Sequence, residues 1–95
     1  MKPPRKRERW HHDRLREMGC LRCGARPVSI HHITSTGYER LTRDHRYVAP
    51  LCPECHQNGP DAIHKIGQRK FCEALGIDLL EWASDQWDLS LETMP

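Results

Sequence analysis

Two Cys-x2-Cys pairs, "CLRC" at 20–23 and "CPEC" at 52–55, constrain this chain more than any other feature. Each pair has the spacing of a knuckle whose two sulfurs converge from one turn, and two knuckles supply the four thiolates of a tetrahedral zinc site. Between the pairs lie 28 residues, more than the roughly 15–20 of a simple zinc ribbon, so the loop that the metal closes contains a structure of its own. A thioredoxin-like redox motif is the competing reading, but it expects one pair in a βαβ setting. Cys72, set among apolar residues, reads as a packed thiol.

The chain needs such a staple. With 95 residues it forms one domain, and a domain of that size buries only about 60–65% of its unfolded surface. A structural zinc contributes on the order of 10 kcal/mol to folding, comparable to the whole stability of a small domain. The start, "MKPPRKRERWHHDRLREMG", has no apolar signal region, and no run approaches the roughly 20 apolar residues of a membrane span. The expectation is a soluble, cytoplasmic protein whose cysteines bind metal rather than form disulfides.

Charge is unevenly spread. Residues 1–26 hold nine Lys/Arg against three Asp/Glu, whereas 71–95 hold six Asp/Glu and no Lys or Arg. The basic end suits an anionic partner, and solvated helix faces of opposite charge are the plainer reading.

The expected layout is a flexible basic arm over 1–7 and a single domain over 8–95. Residues 8–18 read as a helix with Trp10, Leu15 and Met18 on one face, ended by Gly19. "VSIHHI" (28–33) and "RYVAPL" (46–51, ended by Pro50) read as two strands joined by a long polar loop, a zinc-stapled core spanning 19–66. Pro53 suits the first turn of a short helix that Gly59-Pro60 ends. Over 67–95 come two helices: one with Phe71, Cys72 and Leu75 on one face and Gly76 closing it, and one capped by Asp78, whose tail frays from Asp88. The fold class is thus small α+β.

Seven histidines are many for this length. Alternation along a strand sends His31 and His32 to opposite faces, and His56 follows the last zinc cysteine, which brings it beside the hairpin. His11 and His12, in the basic helix, read as surface residues.

The order Cys-x2-Cys, a strand with "HHI", a polar loop and "VAPLCPECH" resembles the zinc-containing HNH endonucleases. The string "HHITSTGYERLTRDHRYVAPLCPECHQNGPDAIHKIGQRKFCEALG" is most similar to phage HNH proteins of the recombination-enhancement, RecA-dependent nuclease type, over about residues 19–76. The resemblance implies a ββα-metal core in which His31 and His56 bind a catalytic divalent ion and His32 is the general base. Where the family has Asn or His, nine residues before the last His, this chain has Tyr47, and His45 or Asp44 is the nearby substitute. Where many relatives place a further ligand stands Pro60, and His64 is the natural replacement. The resemblance also implies DNA as substrate, 5′-phosphate and 3′-hydroxyl products, and a recombinase or another phage protein as a possible partner.

The residue types suit that chemistry. Imidazole titrates near pH 6.5, so His32 can accept a proton from water. A bound Mg²⁺ or Mn²⁺, with Ni²⁺ or Co²⁺ as in vitro alternatives for imidazole ligands, would stabilise phosphoryl charge. Arg5, Lys6, Arg7, Arg9, Arg14, Arg16, Arg40, Arg43 and Arg46 are candidates for phosphate contacts without sequence reading. The alternative class is a zinc-stabilised module that binds nucleic acid or protein without catalysis. A third reading makes the domain part of a larger assembly docked through Trp82 and Trp87, which core packing explains more simply.

Overall fold

The computed structural model describes residues 2–33 and 44–95; the candidate phosphate contacts Arg40 and Arg43 and most of the hairpin connection lie outside these. Among the described residues the fold is small α+β. Helix α1 (Lys6–Met18) leads to an antiparallel pair, β1 (Ser29–His32) and β2 (Val48–Leu51). A one-turn π-helix (Glu54–Asn58) follows, then α2 (Ile63–Ile66), α3 (Gln68–Leu75) and α4 (Leu79–Thr93). None of these helices is long and apolar enough to cross a membrane.

The strands pair with His31 opposite Ala49 and His32 opposite Val48. β2 runs through Pro50 to Leu51 rather than ending at the proline. A proline is tolerated there because the described sheet has only two strands, and its carbonyl is used by the Leu21 N–H at 2.9 Å. That bond fixes the first cysteine knuckle against β2. Gly19 makes the entry to this knuckle: its φ is +88°, and a Cβ would meet the Gly24 carbonyl at 2.7 Å.

All four β2 residues are buried and join Ile33, Ile63, Phe71, Leu79 and Ala83 in the core, with Cys20, Cys52 and Cys55 at its edge. Phe71 and Leu79 carry α3 and the start of α4 onto it. Gly76 ends α3 in the left-handed region, and the Asp78 carboxylate caps α4 by accepting from the Glu81 N–H, as the sequence indicates.

Helix α1 departs from expectation in three ways. It begins at Lys6, so two residues expected in the arm are helical. Met18 is 47% exposed. His11 and His12, expected at the surface, are buried together with Leu15.

His11 is inside because α4 supplies a partner. The Ser90 hydroxyl accepts from Arg14 Nε at 2.8 Å and is hydrogen-bonded to His11 Nδ1 at 2.5 Å, and Trp87 meets the ring edge-on at 5.1 Å. Arg14 also donates to the Gln86 carbonyl and side chain, so it ties α1 to α4. The same contacts explain why α4 stays helical past Asp88 instead of fraying: Ser90 is fully buried.

Burial, and then the charges of Arg14 and His12, push the His11 imidazole down to about 4. Below pH 6.5 the unfolded chain therefore takes up a proton that the fold refuses, and stability falls as pH drops toward 4. Between pH 7.5 and 5 the parent should lose about 2 kcal/mol more than a His11→Gln variant in chemical denaturation. Equal losses would contradict a buried neutral His11.

Candidate functional site

The two cysteine pairs meet. One ligand atom from each of Cys20, Cys23, Cys52 and Cys55 lies within 4.8 Å of all the others, and no disulfide joins them. Cys23 and Cys52 sulfurs are 3.5 Å apart and Cys55 and Cys23 sulfurs 3.8 Å. Four sulfurs at 2.3 Å from a tetrahedral ion would stand about 3.8 Å apart. The cluster can therefore hold a structural metal such as zinc.

Burial opposes ionisation of Cys20, but backbone N–H groups of Cys52, Cys23 and Arg22 outweigh it and bring the thiol down to about 7. Burial and the neighbouring thiols push Cys55 up to about 12. Thiolates packed this closely are costly without a cation between them and favourable as metal ligands.

The π-helix connects this cluster to the histidines. Pro53 opens it, the Gly59 N–H closes it on the Glu54 carbonyl at 2.8 Å, and a Cβ at Gly59 would meet that carbonyl at 2.7 Å. Within this turn adjacent residues serve different neighbours: Cys55 faces the sulfurs and His56 faces β1.

On β1, alternation places Ser29 and His31 on one face, and both reach His56. His56 Nδ1 lies 2.6 Å from Ser29 Oγ, whose hydroxyl donates to the Leu51 carbonyl at 3.3 Å. In that arrangement His56 Nδ1–H donates to Ser29, and the Nε2 lone pair points away from it. This Nε2 is 3.4 Å from His31 Nδ1 and 2.9 Å from His64 Nε2. Nitrogens 2.0–2.1 Å from a common ion and 90–109° apart would stand about 2.9–3.4 Å apart. His56 thus stands at that distance from both His31 and His64, the three ligand atoms lie within 4.8 Å of one another and could hold a metal ion, and α2 is what carries His64 there.

Burial, followed by the nearby His56, His64 and His32, pushes His31 down to about 4. Burial and then His64 lower His56. Both rings are therefore neutral near pH 7, the form that binds a cation. Ser29 is the orienting neighbour that sequence reading missed. Its position two residues before His31 in a strand is the signal that could have found it.

His32 faces the opposite way. Its Nε2 is 2.9 Å from His45 Nδ1, and His45 Nε2–H donates to the Lys2 carbonyl at 2.7 Å. Because Lys2 accepts, His45 Nδ1 holds the lone pair and His32 Nε2–H donates to it. His32 then has its lone pair on Nδ1. His12 Nε2–H donates to the His45 carbonyl at 2.7 Å, and its ring meets those of His32 and His45 edge-on. Of the two candidates near position 45, His45 touches His32, whereas Asp44 grips Arg46 through both oxygens at 3.0 and 2.8 Å.

The other arginines divide. Arg5 and Arg7 are exposed; Arg9 is exposed and donates to the Pro4 carbonyl; Arg16 pairs with Asp13. Arg14 is engaged with Ser90 and Gln86 and packs α1 against α4.

Purified protein should carry one tightly held zinc, measured by native mass spectrometry. Because metal binding matches the stability of a small domain, Cys20→Ser should leave the chain largely unfolded at 25 °C in circular dichroism. An unchanged melt would contradict a structural metal at this cluster. No protein-family model matches this sequence, and neither a curated protein nor a solved structure matches the chain.

Proposed function

We propose that this protein is a metal-dependent endonuclease of the HNH, ββα-metal type, hydrolysing DNA phosphodiester bonds with weak sequence specificity. The observation that carries the reading is the two-sided use of β1: His31 joins His56 and His64, while the next residue, His32, joins a hydrogen-bonded chain that sets its tautomer.

In this reading His31, His56 and His64 hold a divalent cation such as Mg²⁺ or Mn²⁺. The ion, when bound, polarises a phosphoryl oxygen and stabilises the departing 3′-oxygen. His32 Nδ1 accepts a proton from the water that attacks phosphorus in line, leaving 5′-phosphate and 3′-hydroxyl ends. His45 and the Lys2 carbonyl keep the proton on His32 Nε2, so the basic nitrogen is always Nδ1. Exposed Arg5, Arg7 and Arg9 neutralise backbone phosphates, which makes binding salt-sensitive and poor at reading sequence.

A zinc-stabilised binding module without catalysis would have the same cysteines and the same basic end. It has no use for the His32–His45–Lys2 chain. Incubation of supercoiled plasmid with Mn²⁺ separates the two: His32→Ala should lower nicking about 10²- to 10⁴-fold with the fold retained in circular dichroism, and leaving out Mn²⁺ should abolish it. Equal nicking by variant and parent, or none by either, would favour the binding module.

A further inference from the structure

Beside His45 the surface is cut by two adjoining hollows that share Arg5, Glu8 and Arg46. The first, about 440 Å³, adds Lys6, Arg7 and the half-buried Trp87. The second, about 380 Å³, adds Lys2, Asp44 and His45. Together they make one groove running from the neighbour of His32 to an indole.

Five cations line it against two carboxylates, and both carboxylates are engaged. Glu8 accepts from the Arg5 backbone N–H at 2.7 Å, and Asp44 holds Arg46. The lining is therefore positive overall. Trp87 is fixed from behind by the His11 ring, itself held by Ser90, so the indole is already ordered.

We infer that this groove holds an unpaired stretch of the substrate strand, with a base against Trp87 and the adjoining phosphates on Arg5, Lys6 and Arg7. The inference takes its ligand class from the nuclease reading. A cavity of this size admits a group as large as a nucleotide. Cationic walls with an aromatic platform are how proteins hold single strands, because every base offers a π face. A duplex keeps its bases stacked inside and offers the groove only phosphates, so it would use the cations and leave the indole out.

The test is tryptophan fluorescence of the full, zinc-loaded chain, with no Mg²⁺ or Mn²⁺ added so that nothing is cut. The probes are a short oligothymidylate and a hairpin duplex of equal nucleotide count at one ionic strength. The single strand should quench fluorescence and bind tighter than the duplex. Trp87→Leu should weaken single-strand binding about tenfold, leave duplex binding unchanged, and remove the quench, while Trp82→Leu keeps both. Arg7→Glu, at an exposed site that leaves packing intact, should weaken both ligands and steepen neither preference.

Equal affinity for the two probes would overturn the inference. So would a Trp87→Leu protein, folded by circular dichroism, that binds the single strand as the parent does. If plasmid nicking is absent while the Trp87-dependent preference is present, the nuclease reading fails and the groove stands. If nicking is present without the preference, the groove fails alone.

Discussion

Four sulfurs drawn from two turns organise this molecule. Cys23 and Cys52 lie 29 positions apart in the chain and 3.5 Å apart in space, and the hairpin sits inside the loop they close. The core behind them is small: Leu15, Val48, Leu51, Phe71 and Leu79 are its largest apolar side chains below 2% exposure. An apolar cluster of that size would be marginal alone. The clamp fixes the geometry that matters most, because Cys52 directly follows β2, Cys55 directly precedes His56, and the first knuckle is bonded to Pro50 through Leu21. A shift of either knuckle moves His56 relative to β1.

From that fixed pair of elements, period-two alternation does the rest. One strand serves two environments. The Ser29 and His31 face meets the π-helix and α2, whereas the His32 face meets His45 and α1. Helix α1 is therefore part of the site, since His12 supports the backbone at His45 and Lys2, just ahead of the helix, receives the His45 proton. Polar groups buried there are tolerable because each has a partner with defined geometry. The exceptions are His11 Nε2 and His31 Nε2, which are buried without a hydrogen-bond partner among the described residues.

What the sequence made legible follows the reach of each signal. Spacing within a turn is local, so the knuckles, the caps at Gly76 and Asp78 and the opposite faces of His31 and His32 were readable directly. His64 was readable as the remaining histidine near a sharp turn, and α2 delivers it. Partners supplied from far along the chain were not readable. His11 finds Ser90 79 positions away and His12 finds a carbonyl 33 positions away, so two residues that look solvated are interior. Backbone acceptors such as Lys2 O leave no trace in residue type. Ser29 was within reach of the alternation rule, but a serine beside two histidines carries little signal unless its strand neighbour is already known.

A scaffold gathered at four cysteine sulfurs brings three imidazoles together where a second cation could bind. Anomalous diffraction from crystals of zinc-loaded protein soaked in Mn²⁺ measures this most directly. The expected result is one ion about 2.3 Å from the sulfurs of Cys20, Cys23, Cys52 and Cys55 and a separate peak among His31, His56 and His64. Four sulfurs without an ion, or the three imidazoles splayed apart with no peak between them, would contradict it.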